Sequence, residues 1–128
     1  MKKEIFYSVD TPLGIRVTDI LLRLGISASS YGYEYLRCAI ILAYHDPELT
    51  VYATKTLYPT VTRLCHAASV GSVERNCRRA VERAIYAGTR TLYEYFGNIT
   101  PTHHPTCAKF ILTIAEHLHK QDMQSQNE

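Results

Sequence analysis

Five of the chain's arginines fall within one short stretch of its 128 residues. Between Ser72 and Arg90 they are accompanied by only two glutamates, which gives this stretch a net charge of +3, while the rest of the chain sums to −1. Arginine presents a planar fork of donors that pairs with phosphate oxygens or with the O6 and N7 atoms of guanine. This stretch therefore predicts contact with DNA, because counterion release at phosphates supplies most of the affinity of such complexes.

The spacing of apolar residues predicts that most of these arginines lie on one helix, from about residue 70 to residue 87. Ser69 is expected to cap this helix, and Gly88 is expected to end it. A two-turn helix starting at Pro59 precedes it, and residues 67–71, which include Gly71, are expected to form the turn between the two. The positions expected to be buried follow the helical period: Val73, Cys77, Ala80, Val81, Ala84 and Ile85. The sequence thus predicts a helix-turn-helix motif whose second helix is the recognition helix.

The first two turns of a recognition helix reach the base edges of DNA. The side chains expected to read bases are Ser72, Glu74, Arg75, Arg78 and Arg79. Those expected to contact phosphates are Arg63, Arg83 and Arg90. A solvated, charge-rich helix face is the alternative interpretation, and the charge alone favours it. The short helix and turn that precede this face shift the balance toward DNA binding.

Six histidines and four cysteines make a zinc site worth considering. His103, His104 and Cys107 are close in sequence, but no cysteine or histidine pair has the spacing of known zinc frames. No Gly-rich phosphate loop, nucleophile motif or carboxylate pair points to catalysis. We therefore expect no metal, no cofactor and no enzymatic activity, and we expect the cysteines to be buried reduced thiols.

The whole chain predicts an all-α fold of about six helices in one domain. We expect an N-terminal arm at residues 1–16, a helix-turn-helix domain at residues 17–120 and a frayed polar tail at residues 121–128. No apolar run is long enough to span a membrane, and the N-terminus has no apolar signal region. A cytoplasmic location is therefore expected, with no membrane partner.

Prolines and capping residues predict where two of the other helices begin. Thr11-Pro12 is expected to end the extended arm, so that the first helix runs from Thr18 to Leu24. Asp46 followed by Pro47 is expected to start a third helix, which stops before Pro59.

Several separated segments resemble the DNA-binding effector domain of stage zero sporulation protein A, a response regulator of endospore-forming bacteria. These segments are GYEYLRCAI (32–40), TKTLYP (54–59), SVERNCRRAVERA (72–84), LYEYFG (92–97) and PTCAKF (105–110). They occur in the family's order, and the resemblance covers roughly residues 17–119. It implies a six-helix domain that binds a short repeated DNA box, as a homodimer on tandem sites, and that contacts RNA polymerase.

The resemblance weakens at the end of the helix that should read bases. The family's VER run is Val73-Glu74-Arg75 here, and its next basic pair aligns with Arg78-Arg79. Ser72 replaces the arginine that precedes VER in the family, and Gly71 replaces a serine. One bidentate base contact contributes about 1–3 kcal/mol of discrimination. We therefore do not expect the family's DNA box to apply unchanged.

The family's phosphoacceptor receiver domain has no counterpart in this sequence. Either the chain is a shortened piece of a longer protein, or the natural protein is an effector domain alone. The leading hypothesis is a sequence-specific DNA-binding transcriptional regulator of the sporulation-effector type. The alternative is a protein-interaction module that acts as a decoy or partner of a full-length regulator or of RNA polymerase. Its contact surfaces would be the tyrosine-rich segments and the last helix near Leu118.

Overall fold

The structure is a computed structural model that describes residues 11–126. Within this range the chain forms six α-helices and a 3₁₀ helix, and no β-strand is present there. The elements are α1 (Pro12–Arg23), α2 (Tyr31–His45), the 3₁₀ helix (Pro47–Thr50), α3 (Leu57–Leu64), α4 (Val70–Ala87), α5 (Arg90–Phe96) and α6 (Cys107–Gln126). The predicted all-α class with about six helices is confirmed. None of the described helices is long and apolar enough to cross a membrane.

Helix α2 is at the centre of the molecule and packs against α1, α3, α4 and α6. Its sequence is apolar around most of its circumference, which is the pattern of a helix enclosed by others. Leu36, Ile40 and Ile41 on α2 are completely buried, as is Phe110 on α6. The ring of Phe110 stacks on that of Phe96 with centroids 4.4 Å apart, which holds α5 against α6. Helices α3 and α4 therefore rest on a well-packed base.

Helix α2 packs close against α4 at Gly32. A Cβ atom at this position would lie 2.5 Å from the carbonyl oxygen of Asn76 and 2.8 Å from the Cβ of Ala80. The absence of a side chain on Gly32 is what lets the two helices cross here. This contact limits the distance between α4 and the central helix.

The first helix begins earlier than predicted. The Thr11 side chain accepts a hydrogen bond from the amide of Gly14 at 2.9 Å and caps α1, with Pro12 in the first turn. The predicted start at Thr18 is wrong, because Thr11-Pro12 starts the helix instead of ending the extended arm. Residues 12–16 of the expected arm are helical, and residues 1–10 lie outside the described range.

The predicted third helix is also wrong. Of residues 46–56, only Pro47–Thr50 is helical, and Asp46 makes no side-chain capping bond to this 3₁₀ helix. Turns follow, and α3 then begins at Leu57 and includes Pro59. Proline is tolerated there because the amides of a helix's first turn have no partner within the helix.

The last helix extends through residues that were expected to fray. Asp122 near its end accepts hydrogen bonds from Arg16 of α1, at 2.6 Å, and from the hydroxyl of Tyr44 on α2. Arg16 also donates to the Gln121 side chain at 3.1 Å and to the carbonyl of Leu118 at 3.5 Å. The polar end of α6 is therefore held by side chains from two other helices.

Candidate nucleic-acid interface

Helices α3 and α4 form the predicted helix-turn-helix, with residues 65–69 as the turn. The Ser69 hydroxyl accepts a hydrogen bond from the amide of Ser72 at 3.0 Å, and Gly88 ends α4 in the left-handed conformation. The predicted bounds of the recognition helix and both of its terminal residues are confirmed.

The turn itself differs from the prediction. Gly71 lies in the first turn of α4 rather than in the loop, and the residue with left-handed backbone is His66, at a φ of 54°. The amide of Ala67 donates to the carbonyl of Thr62 at 3.0 Å, which closes the end of α3 in a Schellman motif. Glycine usually occupies such a position, and histidine is one of the residues that tolerate it.

The inner side of α4 packs as its apolar period predicts. All six residues expected inside are buried: Val73, Cys77, Ala80, Val81, Ala84 and Ile85. Because these side chains fix the rotation of α4 about its axis, they also determine which residues face outward.

Three arginines four residues apart, Arg75, Arg79 and Arg83, form an exposed line along the outer side of α4, here called the arginine stripe. The guanidinium of Arg75 reaches back over the first turn, since its Nη1 atom lies 3.5 Å from where a Cβ of Gly71 would be. Among residues 11–126, no carboxylate lies within 4.0 Å of the stripe's guanidinium groups. The stripe therefore presents its positive charge to the solvent.

Glu74 and Arg78, also predicted to read bases, lie on the side of α4 that faces α6. A hydrogen bond from Cys77, and more weakly the nearby Arg78, hold the pKa of the Cys107 thiol at the start of α6 below its usual value, while Glu74 acts on it in the opposite direction. Arg78 forms an exposed pair with Glu82 at 4.0 Å, a contact of little energetic weight. These two residues are therefore placed at the edge of the predicted base-reading surface.

Ser72 lies on the same outer side of α4 as Arg75 and Arg79, but toward the edge that carries Asn76. Its carbonyl accepts a hydrogen bond from the side chain of Asn76 at 2.8 Å, and Asn76 is the residue whose backbone Gly32 contacts. The structure thus separates the predicted base-reading residues into the centre, with Arg75 and Arg79, and two edges. The predicted phosphate contacts Arg63 and Arg90 are exposed on the neighbouring helices α3 and α5, and neither pairs with a described carboxylate.

The four free cysteines come together in two pairs that the sequence spacing does not indicate. Hydrogen bonds join the thiols of Cys38 and Cys65 and those of Cys77 and Cys107. The hydrogen bond that Cys77 donates to Cys107, together with burial, raises the pKa of the Cys77 thiol. Each pair links different elements: α2 with the turn, and α4 with α6. Both pairs therefore connect the helix-turn-helix to the helices on which it packs. Among the described residues, no group of three or more histidines, cysteines or acids is arranged to hold a metal.

A helix-turn-helix whose second helix presents a line of arginines with no ion-pair partner among the described residues is typical of a DNA-binding domain. The family model for the C-terminal domain of sporulation initiation factor Spo0A matches residues 17–118. The chain belongs to this family of DNA-binding effector domains. The resemblance expected from the sequence is confirmed.

Proposed function

We propose that this domain is a sequence-specific transcriptional regulator that binds double-stranded DNA with α4 in the major groove. The observation that carries the proposal is the arginine stripe, which is exposed, has no ion-pair partner among the described residues and lies opposite a fully packed inner side. No described carboxylate neutralises these charges, and phosphates or guanines would supply partners for them.

We propose different tasks for the side chains of α4. The major groove is about 12 Å wide and admits one helix, whose N-terminal turns meet the bases. Arg75 and Arg79, at the centre of the outer side, would pair with guanine O6 and N7. Ser72 and Arg78 at the two edges would reach the neighbouring base pairs, and Glu74 would accept a hydrogen bond from cytosine N4.

Phosphate contacts are proposed for arginines farther from the tip of the recognition helix. Arg83 lies later on α4, Arg63 is near the end of α3, and Arg90 starts α5. Such contacts hold the protein on the duplex and carry no sequence information of their own.

The test begins with selection of bound duplexes from a random pool, because Ser72 and Gly71 make the family's box unreliable. Binding of the selected duplex and of a scrambled one is then measured by fluorescence anisotropy at several salt concentrations. Arg75→Ala should reduce the preference for the selected duplex by about 1–3 kcal/mol, roughly fivefold to 150-fold. An unchanged preference would defeat the proposal.

Arg90→Ala is the matched control in the same titrations. It should weaken binding to both duplexes equally and reduce the slope of log K against log salt by about 1, since one phosphate contact is lost. A change in sequence preference in this variant would contradict the division between base-reading and phosphate-contacting residues.

We further propose that contacts with RNA polymerase or with a second copy use a surface distinct from α4. Pro47, His119 and Met123 contribute to an open groove of about 260 Å³ between α2, the 3₁₀ helix and α6. Met123 is about 24 Å along α6 from Cys107, which lies beside α4. Leu118, expected as a contact residue, is buried and cannot serve. Light scattering with and without the selected duplex tests the pairing. DNA binding that is absent or insensitive to salt would favour the interaction-module alternative.

A further inference from the structure

The first residue of α2 lies beside the recognition helix. Gly32, which contacts the backbone of Asn76, is preceded directly by Tyr31, and adjacent Cα atoms are about 3.8 Å apart. Tyr31 is therefore next to the second turn of α4, on the edge that carries Ser72 and Asn76. Its side chain is 68% exposed, although it adjoins the close crossing of α2 and α4.

The ring of Tyr31 is held in place despite its exposure. It stacks on Tyr35 with centroids 6.0 Å apart and an angle of 19° between the planes. Tyr35 is buried close to Cys65 in the turn and Cys77 on α4. Through Tyr35, the Tyr31 ring is thus connected to the packed side chains that support the helix-turn-helix. Fixing such a ring on binding costs little conformational entropy, because packing already restricts it.

The hydroxyl of Tyr31 is available as a donor, whereas its polar neighbours are engaged. Ser30 donates to the carbonyl of Ser27 at 2.8 Å and accepts from the amide of Tyr33 at 3.2 Å. The hydroxyls of Ser27 and Ser29 pair with each other at 2.8 Å. Within the described part of the chain, the Tyr31 hydroxyl makes no hydrogen bond.

We propose that Tyr31 donates its phenolic hydrogen to a phosphate oxygen of the DNA strand on the Ser72 side of α4. A helix that fills the major groove brings the elements beside it over the sugar–phosphate backbone, and contacts there set its register. Tyr31 is then a positioning residue: it reads no base and fixes how α4 sits in the groove. This inference rests on the proposed DNA-binding function.

The test is Tyr31→Phe, which removes the donor and keeps the stacked ring. Affinity for the selected and the scrambled duplex should fall equally, by about tenfold. This factor corresponds to the lower end of the free energy that a hydrogen bond to a charged group contributes. The salt dependence should not change, because a neutral phenol displaces no counterion. This constant slope distinguishes Tyr31 from Arg90, whose loss should lower it.

Tyr52→Phe is the matched control, because Tyr52 is also 68% exposed but follows the opposite end of α2, about 20 Å along that helix. It should bind both duplexes as the unmodified protein does, and both variants should unfold at the same urea concentration.

The outcomes separate the inference from the proposed function. Unchanged binding in Tyr31→Phe, while Arg75→Ala loses its preference, overturns the inference and leaves the function intact. A changed base preference or salt slope in Tyr31→Phe also overturns it, since a neutral phosphate donor alters neither. If the unmodified domain shows no salt-dependent binding to any duplex, both proposals fail together.

Discussion

Arg16 on α1 and Arg75 on α4 both lie on the outside of the same helical bundle, but of the two only Arg16 has an ion-pair partner among residues 11–126. Arg16 pairs with Asp122 and also donates to two other groups on α6. Arg75 and the rest of the arginine stripe meet no described carboxylate. The same side chain therefore joins helices in one region and remains available for a partner in the other.

The comparison shows where stability and binding should separate. Substitutions in the stripe remove no ion pair among residues 11–126, so they should change affinity with little change in the free energy of unfolding. Substitutions in the cluster of Arg16, Tyr44 and Asp122 should do the reverse. A substitution at Gly32, where α2 supports α4, should change both stability and binding.

The largest effect on stability is expected from Gly32→Ala. The added Cβ would lie 2.5 Å from the carbonyl oxygen of Asn76, so α2 and α4 must move apart. Overpacking of this kind typically costs about 1–3 kcal/mol. We expect a lower free energy of unfolding in urea and weaker binding to the selected duplex, since α4 and Tyr31 shift relative to each other. An unaltered unfolding midpoint would show that this crossing is not tight.

A smaller, pH-dependent effect is expected from Asp122→Asn. The hydrogen bond from Tyr44, and then Arg16, lower the pKa of Asp122 from its ordinary value of 3.8. A carboxyl group with a lowered folded-state pKa stabilises the fold above its unfolded-state pKa, and this stabilisation is lost as the pH falls through the folded-state value. Because the group is partly exposed, the loss at pH 7 should be about 0.5–1 kcal/mol.

Urea unfolding of Asp122→Asn at pH 7 and at pH 3 tests this sign. The difference from the unmodified protein should shrink at the lower pH, and DNA affinity at pH 7 should stay the same. Asp19→Asn is the control, because its 3.0 Å pair with Arg23 is more exposed and should contribute only a few tenths of a kcal/mol. A difference that grows on acidification would contradict the assignment.

The recognition helix could be predicted because its local signals agree with its packing. Ser69, the apolar period and Gly88 all mark the same helix, and its inner side packs as they indicate. At Thr11-Pro12 the local signal is ambiguous, since proline both ends extended segments and starts helices. There the structure, not the sequence, decides.

The remaining errors concern contacts between distant parts of the chain. The end of α6 is helical where the polar sequence indicated fraying, and Asp122 there is held by Arg16, 106 residues away. No local pattern marks the pairing of Cys77 with Cys107 or the close crossing at Gly32. The edge positions of Glu74 and Arg78, by contrast, follow from the helical period alone, because both flank the outer side of α4 that carries Arg75 and Arg79.

The smallest effect, and the one of opposite sign, is expected from Gly71→Ala. Gly71 is exposed in the first turn of α4, and a Cβ there would have Nη1 of Arg75 at 3.5 Å and Oγ of Ser69 at 3.8 Å as its nearest neighbours. Alanine restricts the unfolded chain more than glycine does, so the free energy of unfolding should rise by about 0.5 kcal/mol. Urea unfolding beside Gly32→Ala measures both signs under the same conditions.

The two glycine substitutions test the comparison most directly: one adds a methyl group to α2 where it packs against the inner side of α4, and the other adds it to the exposed first turn of α4. The inner side has no room for it, whereas the outer side accepts it in ordinary van der Waals contact. Binding to the selected duplex should change less than twofold in Gly71→Ala, a free-energy change below about 0.4 kcal/mol. A larger loss would place Gly71 itself against the DNA, because a base or phosphate would then occupy the space that the free domain leaves open.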